Sequence, residues 1–426
     1  MKKVKKKRRV WKAILLSALA LILVFGSIYF RFGGFGTGAS ADAEEFAKYA
    51  QSIDRIQIPS GTQMIAFGEA THGNAEFQQL RLTVFRQAVE QYGVRAFALE
   101  GDFGGCEQVN QYIHGGNGTA EQAAAAIGFA IYRTQEMADL ISYMRTYNES
   151  AAPGEDLRFY GFDMQRTSCS ADFLMGNCNQ LGVSTAELEK LFDAGQWNSQ
   201  YSEAQRKDVL SSIKDQLNQT DSSDTSQAIH LADVLSQNAE VSVLADNGED
   251  GNGIRDAYMA ENAMWILEQE EARGNDCIFL SGHNSHIVKF GSYDDTYKKM
   301  GNLLADQLSD GYYAIGTDFY KTTCNLPKGR DGVRTNQVFY SRDLLAKAAK
   351  ECGLDACWLD FSAIPEESTL NAQVEDYTYM GSIGETYSLA IRMIPMTYRV
   401  WQSPATIYDS MIFVPITTPT VIMPSE

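Results

Sequence analysis

Several signatures of well-studied enzyme mechanisms are missing from this sequence. It contains no G-x-S-x-G nucleophile elbow, no H-E-x-x-H zinc helix and no G-x-x-x-x-G-K-[ST] phosphate loop. No C-x-x-C pair occurs among its seven cysteines, which leaves no sulfur-based zinc site. These absences favour a reaction in which a histidine activates water, without a covalent intermediate.

Positive charge is also scarce, except at the start of the chain. Residues 1–41 hold nine lysines and arginines and no acidic residue, so the remainder has only 27 of the 36 basic residues against all 54 acidic ones. A body with this charge repels nucleic acid and anionic lipid headgroups. We therefore expect no nucleic-acid partner.

The N-terminus combines basic residues with a long apolar run. Residues 2–9 are mostly Lys and Arg, and the 18 residues from Ala13 to Phe30 carry no charge. Such a run is just long enough to cross a bilayer as a helix, with the basic block in the cytoplasm. We predict a basic segment and membrane anchor or signal over 1–31, a flexible linker over 32–42 and a folded domain over 43–426, outside the cell membrane. Secretion after cleavage at Ala39-Ser40-Ala41 is the alternative.

The seven cysteines bear on the same question of location. An exported domain can hold disulfides, and the nearest neighbours in sequence are Cys169 with Cys178 and Cys352 with Cys357. The sequence does not determine which cysteines pair, and an odd number leaves at least one free thiol.

Short apolar runs alternate with helical patterns through most of the chain. Strands separated by helices are typical of a parallel sheet covered on both faces. We therefore predict an α/β fold with a mainly parallel central sheet flanked by helices. Residues 184–245 break the alternation and predict an inserted helical subdomain. The strand-like runs are Met64–Phe67, Ala96–Leu99, Leu157–Phe162, Ile278–Leu280, Ala314–Gly316 and Met411–Val414.

An ionisable residue follows closely after five of these runs. Because the carboxyl ends of parallel strands open onto one crevice, we expect these side chains to lie there together. This series is the strongest indication of an active site that the residues alone provide. Its members are Glu69, Glu100, Asp163, His283 and Asp318.

The first of these runs leads into a polar turn bounded by glycines, residues 68–73, which carries Glu69 and His72. Arg81 falls on the apolar stripe of the amphipathic helix that follows, where a charge is costly unless it is paired. Either Arg81 extends along the edge of the stripe to solvent, or it enters the crevice and pairs with Glu69, Glu100 or a substrate anion.

Glu100 ends a run of apolar residues and is a second candidate. A carboxylate at the end of a buried strand needs a raised pKa or a cationic partner. Either condition suits acid–base catalysis or the orientation of a histidine. An ordinary acidic loop residue is the alternative.

The chain has only five histidines, and three of them fall in two strand-end turns. Besides His72 these are His283 and His286, whose i,i+3 spacing suits two metal ligands if the segment is helical. Alternatively, one of the two is a catalytic base and the other a structural donor. The grouping favours a functional role. The other two, His114 and His230, are predicted at the surface.

Taken together, these residues resemble the motifs of the erythromycin esterase family. A G-E-x-x-H-G turn followed much later by H-N-x-H is a specific combination, and the matching positions span about residues 60–420. The resemblance rests on Gly68–Gly73, Glu76-Phe77, Arg81, Glu100, Gly161-Phe162-Asp163, Arg255-Asp256, Met259–Asn262, His283-Asn284-x-His286 and Thr417-Thr418-Pro419.

The resemblance implies an α/β core with a helical subdomain and hydrolysis of a macrocyclic lactone ester by histidine-activated water. It makes His72 the general base, oriented by Glu69. Glu100 and His283 would hold the water and protonate the leaving alkoxide, and Arg81 would bind the charge that develops at the carbonyl oxygen. The residues expected to bind substrate or to support this set are His286, Arg255, Glu76 and Asp163.

Three functions are consistent with these residues. The first is a carboxylic ester hydrolase that uses no metal or other cofactor and takes a small-molecule ester or lactone. The second is a metal-dependent hydrolase, because two glutamates and three histidines can hold a divalent ion. The third is a cell-surface binding protein without turnover.

Antibiotic-degrading members of the family act in the cytoplasm, whereas an anchored domain outside the cell favours a cell-envelope ester. Both substrates stay open, as does the oligomeric state.

Overall fold

A computed structural model describes residues 2–31, 41–220, 225–291, 297–329 and 332–424 of the 426-residue chain, with the backbone alone for 2–10, 13 and 28–31. In chain order its helices are Lys2–Arg31 (α1), Ala43–Tyr49 (α2), Ala75–Tyr92 (α3), Phe103–Ile113 (α4), Ala120–Ala126 (α5), Gln135–Asn148 (α6), Ser168–Gln180 (α7), Ala186–Lys190 (α8), Glu203–Asn218 (α9), Ser226–Asp246 (α10), Asn252–Ala272 (α11), Asn284–Ile287 (α12), Met300–Leu308 (α13), Leu344–Glu351 (α14), Thr369–Glu375 (α15), Leu389–Met393 (α16) and Pro404–Ile407 (α17).

A seven-stranded sheet forms the centre of the molecule. Its strands lie in the order β6-β7-β5-β1-β4-β2-β3, and every neighbouring pair is parallel except β6 with β7. This confirms the predicted mainly parallel sheet. The strands are Met64–Glu69 (β1), Ala96–Asp102 (β2), Arg158–Asp163 (β3), Ile278–His283 (β4), Tyr312–Asp318 (β5), Cys357–Asp360 (β6) and Ser410–Phe413 (β7).

Helices cover both faces of the sheet, which explains why the central strands are apolar almost throughout. All residues of β1, β2 and β4 are buried. On one face, α3 to α6 pack against side chains such as Phe67 and Phe279. On the other face, α7, α9, α10 and α11 pack over side chains such as Met64 and Leu280. A strand buried on both faces loses the alternation of a half-exposed strand and is recognised as a short apolar run.

The strand order brings β1 and β4 together at the middle of the sheet. Glu69 and His283 are register partners at the ends of these two strands. The chain runs from β1 to β2 and β3 on one side, returns to insert β4 beside β1, and continues with β5 on the other side. Ligands of open α/β sheets bind at the carboxyl ends of the strands, where the strand order reverses.

Residues 184–245 fold into the helices α8, α9 and α10, with a short hairpin of Phe192–Asp193 and Gln196–Trp197. The helical insertion is therefore observed. Helix α10 packs on α7, α9 and α11. Its Leu231 and Leu235 belong to the same apolar cluster as the sheet, so the insertion is a layer over one face of the sheet.

Three smaller β elements are not indicated by the sequence patterns. One is the four-residue edge strand β6. The second is a hairpin of Lys321–Pro327 and Arg334–Tyr340, which Ile416–Thr417 joins as a third strand. The third is a ribbon of Thr378–Gly381 and Arg399–Gln402. Strand β6 has an apolar run of only four residues, 356–359, and the hairpin and the ribbon are exposed on one face, so none of them gives a strong pattern.

Helix α1 forms most of the N-terminal segment. In the described part of the chain, no helix combines the length and the hydropathy that a bilayer-spanning segment needs. Residues 32–40 of the predicted linker lie outside the described residues. Ala41 is buried and Asp42 caps α2, directly before the predicted start of the folded domain at residue 43. All seven cysteines are free thiols.

Candidate active site

The turn after β1 is fixed by hydrogen bonds from distant segments of the chain. The N–H of Ala70 donates to Thr317 Oγ1 at 2.9 Å, and the carbonyl of Gly73 accepts the N–H of Asn325 at 2.7 Å. Asn74 then caps the N-terminus of α3. The two ionisable groups of this turn therefore project from a rigid support.

A glycine at position 68 allows the turn after β4 to approach β1 closely. A Cβ atom at Gly68 would lie 2.3 Å from Asn284 Oδ1. Asn284 bridges to β5, because its Nδ2 donates to the carbonyl of Thr317 and its Oδ1 accepts the N–H of the same residue. A larger residue at position 68 would displace this bridge.

His72, Glu69 and Arg81 form a chain of buried polar side chains. Nδ1 of His72 lies 2.6 Å from Glu69 Oε1, and Nη2 of Arg81 donates to Glu69 Oε2 at 2.9 Å. Arg81 Nε donates to Ser281 Oγ on β4. Because a carboxylate accepts hydrogen bonds, Nδ1 of His72 carries a proton. The described residues supply no hydrogen-bond partner for Nε2.

The charges in this chain keep Glu69 ionised and favour proton uptake by His72. Burial raises the pKa of Glu69, but the charge of Arg81 and the contact with His72 outweigh burial, and this pKa is lowered. Burial lowers the pKa of His72, but the charge and hydrogen bond of Glu69 outweigh it, and this pKa is raised. A carboxylate that stabilises the protonated ring makes the histidine a better base.

His283 lies beside His72, with ring centroids 4.9 Å apart, but its hydrogen bonds differ. Nε2 lies 3.2 Å from the carbonyl oxygen of Ile383, which can only accept, so Nε2 carries the proton. Nδ1 accepts the N–H of Ser285 at 3.2 Å. The ring is therefore neutral. Burial and the neighbouring charge of His72 lower the pKa of His283 to about 3.

Glu100 lies where the register of β2 against β3 shifts, at residues 99–102, and such bulges are common beside active sites. Its Oε2 accepts the backbone N–H of His283 at 2.7 Å, and its Oε1 accepts from Arg255 Nη2 at 3.0 Å. Burial raises the pKa of Glu100, but His286 and Arg255 outweigh burial and hold it well below its usual range. Glu100 is thus a buried carboxylate with a cationic partner.

Arg255 joins α11 to the ends of β2 and β3. Its Nη2 also donates to Asp163 Oδ2 at 2.7 Å, and its Nη1 lies 3.4 Å from His286 Nε2. Nδ1 of His286 lies 2.6 Å from Asp256 Oδ1. The site therefore holds a second histidine–carboxylate pair, connected to Glu100 through the guanidinium of Arg255.

A cleft of about 650 Å³ opens above Arg255. The C-terminal end of α10, the polar loop 247–251, the start of α11 and residues 385–386 line it. Three carboxylates face it, from Glu249, Asp250 and Glu385. Glu385 is also close enough to His72 to act on it electrostatically. Through Arg255, the cleft is connected to Glu100 and Asp163 at the ends of β2 and β3.

Two of the acidic residues named from the sequence lie outside this network. Glu76 accepts the N–H and Oγ1–H of Thr418, and so ties the start of α3 to the C-terminal segment. Asp318 accepts the N–H of Phe319 and of Gly381, and burial raises the pKa of Asp318 to about 7.

One nitrogen of Arg81, Nη1, is buried and has no hydrogen-bond partner among the described residues, and the role expected for Arg81 at the substrate carbonyl stays a prediction. Arg81 is 1% exposed and lies behind Glu69, with two of its nitrogens already donating. Arg255 is the arginine that lines the cleft. Sequence reasoning missed Glu385, because no strand end or turn motif marks a residue that reaches the site from the C-terminal segment.

The surface prediction holds for His114, which is exposed, but is wrong for His230. The ring of His230 stacks on Trp265, with centroids 4.0 Å apart and parallel planes. Burial lowers the pKa of His230 to about 3. The polar residues around His230 lie on the outer face of α10, whereas the face that carries His230 packs against α11.

The alternative use of His283 and His286 is metal binding. Helix α12 begins after His283, so the two rings do not share a helix face. Nitrogens of both rings are engaged by protein groups. Among the described residues, no three His, Cys, Asp or Glu side chains group as metal ligands do.

Solved structures with this fold include three with 17–18% sequence identity. At this level of identity, the similarity is evidence for the fold alone. A protein from Bacillus cereus superposes with a TM-score of 0.74 over 90% of this chain and 100% of its own, at 18% identity. A succinoglycan biosynthesis protein superposes with a TM-score of 0.72 over 89% of this chain and 98% of its own, at 17% identity. A mutant of the erythromycin esterase EreC in its open conformation superposes with a TM-score of 0.58 over 86% of this chain and 93% of its own, at 17% identity.

Sequence comparison identifies the family. Erythromycin esterase type II of Escherichia coli is 24% identical over 359 residues, which cover 73% of this chain and 83% of that protein. The putative hydrolase YbfO of Bacillus subtilis is 23% identical over 151 residues, 32% of this chain and 33% of that protein. The family model for erythromycin esterase matches residues 89–417. Because this match covers well over half of the chain, the protein belongs to the erythromycin esterase family of hydrolases.

Proposed function

We propose that the protein hydrolyses a carboxylic ester or lactone with a water molecule activated by His72. One observation carries the proposal. The Nδ1–H of His72 is held by an ionised, buried glutamate at 2.6 Å, and Nε2 is left without a partner among the described residues. A neutral imidazole in this state can accept a proton from water.

The steps follow from this geometry. Nε2 of His72 takes a proton from water as the oxygen attacks the ester carbonyl, and Glu69 stabilises the imidazolium that forms. The carbonyl oxygen becomes an oxyanion, and we assign its stabilisation to the guanidinium of Arg255, which lines the cleft. When the intermediate collapses, the imidazolium returns the proton to the leaving alkoxide, which gives an acid and an alcohol.

The remaining buried groups hold His72 and Arg255 in place. Arg81 keeps Glu69 charged and fixes its orientation through the hydrogen bond from Nη2 to Oε2. Glu100 orients Arg255 and holds the backbone of His283. His283, with both nitrogens engaged, packs against the ring of His72 and fixes its plane.

The cleft favours a neutral or cationic ester over an anionic one. Its carboxylates, Glu249, Asp250 and Glu385, repel an anion, and Arg255 is already paired with two carboxylates. Relatives include an erythromycin esterase and a succinoglycan biosynthesis protein. A macrolide lactone and a neutral ester of a cell-envelope saccharide are therefore the two substrate classes we propose.

A panel of esters and lactones, macrolides included, tests the proposal with the native chain and His72→Asn. The expected result is turnover of at least one compound by the native chain, loss of turnover in the variant, and no change after treatment with a chelator. Loss of activity on chelation would instead support the metal-dependent alternative. No turnover of any compound, with saturable binding to the cleft, would support the binding protein.

We also propose that the domain acts outside the cytoplasm. The support is the basic block at residues 2–9 and the apolar side chains of α1, of which ten are more than half exposed. Alkaline phosphatase fused after residue 424 should be active in living cells, since this reporter folds only outside the cytoplasm. A fusion that lacks residues 2–31 should be inactive. Equal activity of the two would reject the proposal.

A further inference from the structure

A two-stranded ribbon outside the active-site cleft, together with the residue before it, presents three aromatic side chains. The ribbon pairs Thr378–Gly381 with Arg399–Gln402 in an antiparallel register that sets Tyr379 opposite Trp401. Its inner face buries Met380 and Val400 in the core. Side chains alternate along a strand, so Tyr379 and Trp401 lie on the outer face. Tyr377, directly before the strand, extends the same row.

These three residues form what we call the aromatic stripe. Tyr377 and Trp401 are 53% and 51% exposed, unusually high for such large rings in a folded protein. The rings of Tyr379 and Trp401 lie 4.6 Å apart, and those of Tyr377 and Trp401 lie 6.3 Å apart. The guanidinium of Arg399, buried and paired with Asp343, lies 4.3 Å from the ring of Tyr379. Arg399 therefore supports the ring of Tyr379 from the side, while the rings of Tyr377 and Trp401 are exposed to solvent.

A groove of about 420 Å³ runs along the stripe. Trp401 and Tyr377 form one wall, and α15 contributes Thr369, Ala372 and Gln373 to the other. Oε1 of Gln373 is buried and has no hydrogen-bond partner among the described residues. A buried acceptor without a donor is unfavourable, so rotation of the Gln373 side chain towards the groove, where a ligand hydroxyl can donate to Oε1, would satisfy this atom. The carboxylate of Asp376 lies at the same groove.

We propose that the aromatic stripe and this groove form a binding site for a neutral saccharide. The C–H face of a sugar ring is weakly positive and apolar, and it stacks on the negative face of an aromatic ring. Its hydroxyls donate to acceptors of the residues that line the groove, here Asp376 and, once its side chain rotates, Gln373 Oε1. The site shares no lining residue with the cleft above Arg255 and is therefore a second site, distinct from that of the proposed hydrolysis.

Other occupants match the groove less well. A purely apolar ligand or peptide would cover Gln373 Oε1 and the carboxylate of Asp376 without supplying donors, which costs free energy. An anionic chain would meet both Asp376 and the acidic body of the protein, which has 27 basic against 54 acidic residues beyond residue 41. A neutral sugar supplies hydroxyl donors and carries no charge.

Calorimetric titration of the full chain with cellohexaose and laminarihexaose tests the site. We expect one of these neutral glucans to bind, and Trp401→Ala to weaken its binding about tenfold, which corresponds to about 1.4 kcal/mol, through loss of the stacking surface. Tyr340→Ala, which removes another partly exposed ring outside the stripe, is the matched control and should bind as the native chain does. Thermal unfolding of each variant confirms that it folds.

Gln373→Leu separates a saccharide from an apolar occupant. The substitution keeps the approximate volume and removes the unpartnered acceptor, so glucan binding should weaken, whereas an apolar ligand would bind more tightly. Absence of binding by any glucan to the native chain would overturn the proposal. So would binding that Trp401→Ala leaves unchanged, or a native dimer that Trp401→Ala dissociates, since the stripe would then be a contact between two copies.

Discussion

Two histidine–carboxylate pairs lie side by side at the strand ends, and they differ in what surrounds them. In both, Nδ1 lies 2.6 Å from a buried carboxylate: His72 with Glu69, and His286 with Asp256. The second nitrogen of His72 has no partner among the described residues. The second nitrogen of His286 lies 3.4 Å from both Arg255 and Glu100. A histidine–carboxylate pair can thus serve as a base when its second ring nitrogen has no partner, or as part of an ionic network when that nitrogen lies beside charged groups.

The carboxylates of the two pairs also differ in their support. Glu69 is held on its other oxygen by Arg81 at 2.9 Å. The corresponding oxygen of Asp256 has no hydrogen-bond partner in the described residues, and Lys299 Nζ lies 4.0 Å away. Orientation of a catalytic histidine depends on a fixed carboxylate, so the first pair is the better prepared for proton transfer.

The largest expected effect comes from removing the base of the first pair. We expect His72→Asn to lower kcat by about 10³-fold with little change in KM, because general-base catalysis contributes about 10²–10⁴-fold. His286→Asn, the matched change in the second pair, should lower kcat by less than about tenfold, as it removes only a partner of the network. Steady-state kinetics on the hydrolysed ester measures both. Equal losses in the two variants would remove the distinction between the pairs.

The ionic network around Arg255, next to the second pair, is expected to contribute to the stability of the fold. Arg255→Met leaves the carboxylates of Glu100 and Asp163 buried without their cation. Loss of one partner from a buried ionic network costs about 3–5 kcal/mol, and we expect a decrease in the free energy of unfolding of that size. Urea denaturation measures it, and Arg255→Lys, which keeps the charge, should lose less. A change below about 1 kcal/mol would mean that these carboxylates are solvated, and not held by Arg255.

His283 lies between the two pairs, and we expect its imidazole ring to stay neutral in the folded protein. The pKa of His283 is lowered to about 3 in the fold, from about 6.5 in an unfolded chain. Below pH 6.5 the unfolded chain binds a proton that the folded chain excludes, so stability declines as pH falls from 6.5 towards 3. At pH 5 this amounts to about 2 kcal/mol.

Replacement of His283 by a residue that does not titrate tests that assignment. The free energy of unfolding of His283→Gln should fall less steeply between pH 6.5 and 5 than that of the native chain. His283→Asn differs in shape, so its absolute stability will differ, but its pH dependence should match that of His283→Gln. If the native chain and both variants show parallel curves, His283 takes up a proton in the folded state as well.

The sheet was predictable from the sequence because its central strands are buried on both faces and therefore appear as apolar runs. The strand ends were predictable for the same reason, and Glu69, Glu100, Asp163 and His283 do meet at one edge. The antiparallel edge strand β6 was not, since four residues of Cys357–Asp360 carry no periodic signal.

The roles of the histidines were the part that the sequence could not assign. The state of His283 depends on a carbonyl at Ile383, a hundred positions away along the chain. His230 was expected at the surface because its neighbours are polar, yet Trp265 on α11 covers it. Such contacts arise from tertiary packing, which leaves no local pattern in the sequence.

The pH dependence of the reaction provides the finest test of the difference between the pairs. As a general base, His72 must be neutral, so kcat/KM should rise with pH as His72 loses its proton. Burial lowers the pKa of His72, but Glu69 outweighs burial and raises it, which places the midpoint of the rise above the ordinary histidine value of about 6.5.

Glu69→Gln and Asp256→Asn then distinguish the two carboxylates. Glu69→Gln removes the charge that raises the pKa of His72 while keeping a hydrogen-bond acceptor, so the midpoint should move to lower pH and the plateau rate should fall. Asp256→Asn makes the same change in the second pair and should leave the midpoint in place, because Asp256 does not contact His72. A midpoint that moves in Asp256→Asn but not in Glu69→Gln would reverse the assignment, and His286 would then be the base.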